Sequence, residues 1–197
     1  TATANITAAA LTVTGVTANN KVYNRTTAAT LNTAGAALVG VIAPDVVTLS
    51  TAGATGTFAD RNVGTGKVVT VTGLTIGGAG AGNYTLTQPS ATANITAATL
   101  TITGVTANNK VYDGTTAATL NTAAAALVGV IAPDVVTLNT AGATGTFSDP
   151  NVGTGKTVTT AGFTIGGTDV PNYTLVQPTT TADITAAPLI PLTITGV

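Results

Sequence analysis

Seven aspartates, at positions 45, 60, 113, 134, 149, 169 and 183, are the only acidic side chains in this 197-residue sequence. Carboxylate oxygens suit calcium, and Asp149 with Asn151 and a nearby carbonyl forms the most plausible partial cage. Asp113 is a second candidate. The acids stand singly, however, and Asp and Asn also serve ordinary turns, which is the preferred reading of both. The run Val152-Gly-Thr-Gly-Lys-Thr superficially resembles a phosphate-binding loop. That loop needs a glycine where Pro150 stands, and a helix that no pattern here supplies. Lys110 or Lys156 beside Asn151 or Asn172 offers the parts of a lysine–asparagine crosslink, against the simpler reading of solvated lysines guarding strand edges. The four tyrosines, 23, 84, 112 and 173, read as core residues with the hydroxyl at the rim rather than as ligand-stacking rings.

What is missing narrows the chemistry further. The chain has no histidine, cysteine, methionine, tryptophan or glutamate. Its acid–base repertoire therefore lacks the commonest general base, and it has no thiolate or disulfide. No enzyme and no cofactor is expected. Six lysines and arginines spread over the chain, with a net charge of -1, make no stripe for nucleic acid. The longest apolar stretch, Ala123 to Pro133, falls short of the ~20 residues a membrane helix needs.

The elements that must position these residues are set by a repeat. Tyr23 matches Tyr112 at a spacing of 112 − 23 = 89, and Asp45/Asp134, Phe58/Phe147 and Ile95/Ile184 match at the same spacing. Residues 6–94 and 95–183 form two copies that differ at 20 of 89 aligned positions. Residues 1–5 read as the end of a preceding repeat, and 184–197 as a linker and the first strand of a following one. Ile95 and Ile184 mark the expected junctions. Leu192, Ile194 and Val197 lie on an apolar strand without its own domain, a candidate for donation to a neighbour. A period this long indicates beads on a string rather than a solenoid turn.

Within a copy, threonine and valine favour sheet, and helix formers are scarce. Short alternating runs separated by Asn108-Asn109, Asp113-Gly114, Pro133-Asp134 and Gly166-Gly167 predict about seven strands. The fold class expected is all-β, with tandem immunoglobulin-like β-sandwiches. The predicted core is Leu100, Ile102, Tyr112, Leu120, Leu127, Val130, Val136, Leu138, Phe147, Val158, Phe163, Ile165, Tyr173 and Leu175. The run Ala123 to Ala126 reads equally as a helical turn or a loop.

Three motifs fall in order inside one period: Lys110-Val-Tyr-Asp-Gly-Thr-Thr, Phe147-Ser-Asp-Pro-Asn-Val-Gly-Thr-Gly-Lys and Asn172-Tyr-Thr-Leu. Together they resemble the YDG repeat domain. The first copy departs from the pattern at Asn24-Arg25, where the second has Asp113-Gly114. The resemblance implies secreted bacterial surface proteins of the filamentous-haemagglutinin-like adhesin kind, related to MBG repeats, and brings no catalytic residues. The function expected is a structural stalk or filament at the bacterial cell surface or outside the cell. Its partners would be neighbouring repeats, other copies in a filament, and an unidentified host or surface ligand. The alternative is a weak, multivalent glycan- or host-protein-binding module.

Overall fold

A computed structural model describes residues 1–189, so Leu192, Ile194 and Val197 lie outside the described residues. The chain divides into two compact units, with the boundary in sequence after Ala98. Both are all-β, and each repeat follows the same plan.

In the second repeat the largest sheet orders its strands as Lys110–Val111, Thr179–Thr185, Gly153–Ala161, Thr144–Phe147 and Ala117–Ala118. A three-stranded sheet places Ala98–Thr103 between Ala126–Val128 and Tyr173–Leu175. Two short ribbons, Thr137–Asn139 with Thr164–Gly166 and Thr106–Ala107 with Leu120–Asn121, complete it. The first repeat reproduces this order, with Lys21–Val22, Ser90–Thr96, Gly64–Thr72, Thr55–Phe58 and Ala28–Ala29 in its large sheet. Most pairs are antiparallel. The parallel ones join an early strand of a repeat to a late one: Lys110–Val111 with Ile184–Thr185, Lys21–Val22 with Ile95–Thr96, and Ala9–Leu11 with Tyr84–Leu86.

Among the described residues each repeat has twelve strand segments, where the turn signals pointed to about seven. Four of the twelve are only two residues long. Glycine, asparagine and proline interrupt the ladders so often that single runs split into fragments. The alanine run resolves into a turn, closed by Ala125 N–H to Thr122 O at 3.0 Å, followed by the strand from Ala126.

Strict alternation decides which side chains face inward. Along Gly153–Ala161, Val158 and Thr160 are buried while Thr157 and Thr159 are exposed. Phe147, Val158, Ala182 and Ile184 form one apolar cluster, packed by Leu120, Ala118 and Ala107. In the first repeat Val13, Val71 and Leu74 form another, bringing the two larger sheets together. Each fully buried aliphatic side chain stabilises the fold by about 1.5–3 kcal/mol before entropy is charged.

Thirteen of the fourteen predicted core positions are buried or half-buried. Tyr112 is the correction, since its side chain is 45 % exposed. Its counterpart Tyr23 holds the same place after a two-residue strand and is 2 % exposed, so the predicted burial holds in one copy and not in the other. In both copies the lysine two positions earlier lies over the inner ring, Lys110 Nζ 5.7 Å from the centre of Phe147 and Lys21 Nζ 5.8 Å from that of Phe58. The departure at Asn24-Arg25 leaves the turn type unchanged. Arg25 has φ 66° and Gly114 φ 77°, so both copies make the same left-handed turn. An arginine in that region costs about 1 kcal/mol or more relative to glycine.

Side chains replace strand partners where ladders stop. Phe163 is buried just beyond the long strand, and its backbone pairs with the amide of Gln177. Phe163 N–H donates to Oε1 at 3.1 Å, and Gln177 Nε2 donates to Phe163 O at 2.9 Å. Gln88 and Leu74 repeat the clamp in the first copy. Gln177→Leu should therefore leave two buried backbone groups unpaired and destabilise the second repeat by about 2–4 kcal/mol. Urea unfolding followed by a probe in each repeat should show the second transition move and the first stay in place.

Candidate functional site

The lysines and the carboxylates they pair with gather at the end of each repeat where its first and last strands meet. Three interactions build this end. Ile184 pairs with Lys110 on one side and Gly153 on the other. Asn109 Oδ1 accepts the Asp183 N–H at 2.7 Å, across 74 residues of sequence. Gly155 N–H donates to Asp183 Oδ1, also at 2.7 Å. The register slips between Gly153 and Lys156, and Gly155 takes φ 59° in this bulge. The glycines of the phosphate-loop-like run thus belong to a bulged strand, and a strand rather than a helix follows them.

The bulge turns Lys156 onto Asp149, with Nζ 2.6 Å from Oδ1. The same oxygen accepts the Asn151 N–H at 2.9 Å, an Asx turn. Asp149 and Asn151, the calcium candidates, are therefore neighbours, but a lysine ammonium already serves as the counter-ion. Asp60, Asn62 and Lys67 repeat the arrangement, with Lys67 2.7 Å from Asp60. Among the described residues no three acidic, histidine or cysteine side chains come together as a metal site.

Lys110 is held more tightly. Its Nζ donates to Thr115 O at 2.8 Å, Thr115 Oγ1 at 3.0 Å and Ala117 O at 3.1 Å, and pairs with Asp113 at 2.7 Å. Asp113 also accepts from Thr115 N–H and Oγ1, both at 2.9 Å. The lysine side chain, the first cause, and the Thr115 bonds after it hold the Asp113 carboxyl down at about 2. Lys156 and Lys67 likewise hold Asp149 and Asp60 below the usual carboxylate range. In the first copy Asn24 replaces this aspartate, and Lys21 keeps the Thr26 and Ala28 acceptors. Partial burial pushes the Lys21 ammonium down. These hydrogen bonds direct Lys110 to Asp113, Thr115 and Ala117, and Lys156 to Asp149, rather than toward Asn151 or Asn172. Crosslink chemistry gains no support from them.

The opposite end of the first repeat carries an open cleft of about 460 Å³, lined by Ile6, Ala9, Ile42, Pro44, Asp45 and Tyr84 among others. Tyr84 is buried, and its hydroxyl donates to Asp45 Oδ2 at 2.9 Å and accepts the Ile42 N–H at 3.0 Å. The Ile42 N–H pulls this phenol down, but partial burial and the Asp45 carboxylate outweigh it and the net shift is upward. Tyr173 repeats the bonds with Asp134 and Ile131. The cleft can receive an apolar group or a hydrogen-bond donor.

Ile95 and Ile184, at the expected junctions, are both 1 % exposed and lie in the strands Ser90–Thr96 and Thr179–Thr185. Only Ala97 separates Ser90–Thr96 from Ala98–Thr103 in sequence. The Asn109 and Gln177 clamps escaped the reading of the sequence, which took Asn108-Asn109 as a simple turn. Their recurrence as Asn20 and Gln88 was the available signal.

The carboxylate pKa values set a pH dependence. A lowered folded-state value means that the contribution is present above the unfolded value near 3.8 and is lost as pH falls toward 2. The carboxylates are about half exposed, so salt weakens the effect. Asp113→Asn should lower the urea midpoint of the second repeat at pH 5 and flatten its decline between pH 4 and pH 2. The first repeat, with Asn24 already in place, should be unaffected.

The YDG domain family matches residues 7–93 and again 96–182. No curated protein and no solved structure matches the chain. The two matches together span most of the sequence and each covers a lysine-capped turn, a bulged strand and a buried tyrosine as just described: the chain belongs to the YDG domain family and carries that domain twice.

Proposed function

We propose that the chain is a non-catalytic spacer, a segment of a stalk or filament in an extracellular bacterial surface protein of the adhesin kind. One observation carries this reading. The same closed β-module occurs twice in series, and its charged groups are occupied in holding its own turns and strand ends. Lys110, Lys156, Asp113 and Asp149 all pair within their own repeat. A sequence without histidine, cysteine or glutamate also lacks the usual acid–base and nucleophilic groups. Length that grows by one unit per repeat is what a spacer needs, and surface threonines keep a nearly neutral module hydrated. The adhesin context and the location outside the cell rest on the family resemblance.

The second reading, a weak binding module multiplied by repetition, draws on the cleft beside Tyr84. A glycan array and a panel of immobilised host-surface proteins separate the two. A spacer gives no saturable signal with the whole chain, and micromolar binding traced to the cleft would replace the spacer reading. Pulled from its ends, the spacer should show two unfolding events of similar contour length. Each should be roughly 300 Å for an 89-residue repeat at about 3.3–3.6 Å per residue.

A further inference from the structure

The first and last segments of a repeat lie side by side and point the same way. In the first repeat Ala9–Leu11 runs parallel to Tyr84–Leu86, at an offset of 84 − 9 = 75 residues. Further along, Lys21–Val22 runs parallel to Ile95–Thr96, at an offset of 96 − 22 = 74. The offset barely changes, so segments 9–22 and 84–96 travel together and are stitched at both ends. Thr87 N–H donates to Leu11 O at 2.8 Å, Asn94 N–H to Asn20 Oδ1 at 2.7 Å, and Tyr23 N–H to Thr96 O at 2.8 Å. Thr96 Oγ1 adds a bond to Lys21 O at 3.3 Å. The second repeat makes the same contacts, Val176 to Leu100, Asp183 to Asn109, Tyr112 to Thr185 and Thr185 Oγ1 to Lys110.

This layout decides how tension along the chain would act. A pull from the N-terminal side reaches the first segment at Ala9 and draws it toward its own start. A pull from the C-terminal side reaches the last segment at Thr96 and draws it toward its own end. Because the segments are parallel, the two pulls slide them past each other. Every bond between them then bears load at once. An antiparallel hairpin opened at its free ends breaks its bonds one after another instead. In the second repeat such a hairpin, Thr144–Phe147 with Gly153–Ala161, lies between the two segments in sequence, so load reaches it only after they part. Ala97 alone separates Ser90–Thr96 from Ala98–Thr103, so tension leaving one repeat enters the first segment of the next directly.

We infer that each repeat is a shear clamp, in which the parallel first and last segments carry tension along the chain and shield the hairpins between them. Asn20 and Asn109 are its positioning residues, each pinning the closing strand from the opposite segment. The inference deepens the spacer reading and rests on it for its use in the parent protein, while the geometry stands by itself.

Constant-force spectroscopy of the whole chain tests the clamp. Forced unfolding reports the unfolding rate rather than equilibrium stability. The chain has no cysteine, so introduced cysteines define where force is applied. At one force, the second repeat should survive longer when the chain is pulled through its termini than when a chain carrying Ala141→Cys and Ala161→Cys is pulled through those two exposed positions, which opens the hairpin from its free ends. Asn109→Ala should shorten the lifetime of the second repeat under terminal load roughly ten-fold, the loss of about one hydrogen bond, and leave the first repeat unchanged. Thr185→Val should shorten it less. Asp149→Asn, which removes a turn lock away from the paired segments, should leave it unaltered. Circular dichroism confirms that each variant is folded, and the comparison of pulling directions needs neither Asn109 nor Thr185 changed. A terminal-load lifetime no longer than the hairpin-load lifetime would overturn the clamp, as would an Asn109→Ala chain that lasts as long as its parent. Either result would leave the spacer reading to the glycan array and the protein panel, which test it separately.

Discussion

Each repeat depends on the return of its last strand to its first third. Thr179–Thr185 pairs both with the long Gly153–Ala161 strand and, in parallel, with Lys110–Val111. A parallel pair cannot be made by a hairpin, so the whole repeat must be spent as its connection. Closing so long a loop costs entropy that the local hairpins do not, and the closure must be reinforced where it is made. Asn109 on Asp183, Gly155 on Asp183 and the burial of Ile184 all act at that point. Asn20 on Asn94, Gly66 on Asn94 and Ile95 do so in the first repeat.

That closure explains where the charges are. A chain with so few charged residues does not scatter its lysines. Lys110 occupies the position beside the closing strand, over the Phe147 ring, and fixes the Asp113 turn that follows. Lys156 sits on the other flank, immediately after the bulge, and fixes the Asp149 turn. Both ammonium groups are largely shielded while both carboxylates face water. The pairs are therefore turn locks, with little of the strength a fully buried pair would risk or gain.

Periodicity made the fold class, the repeat and most of the core legible, because inward and outward positions alternate and the same alternation appears twice. Alternation carries no information past a strand end: Tyr23 and Tyr112 hold the same place after their strands, yet one is 2 % and the other 45 % exposed. Asp149 and Asn151 were rightly seen as neighbours, but spacing alone cannot distinguish a metal cage from an Asx turn. The deciding atom, Lys156 Nζ, is brought in by a bulge that no periodic pattern contains. The long-range clamps were hidden for a similar reason. An asparagine that holds a partner 74 residues away looks in sequence like one that makes a turn.

The differences between the copies show which features the fold can vary. At three clustered core positions Val13, Val71 and Leu74 become Ile102, Thr160 and Phe163. Two gain apolar atoms, and the third gains a hydroxyl in a buried site, a change that normally costs energy. Thr160 offsets that cost by donating to Pro178 O at 2.6 Å. The apolar interior thus accepts changes in shape as long as polar atoms are satisfied. Four side chains that bond to backbone are unchanged: Asn20 and Asn109, Lys21 and Lys110, Tyr84 and Tyr173, Gln88 and Gln177. In a module whose strands are this short, ladders alone cannot satisfy the backbone, and these four side chains complete them. Across the two copies such residues are held more strictly than these core positions, and two of them, the lysine of the Lys-Val-Tyr turn and the tyrosine of Asn-Tyr-Thr-Leu, close the ends of the module.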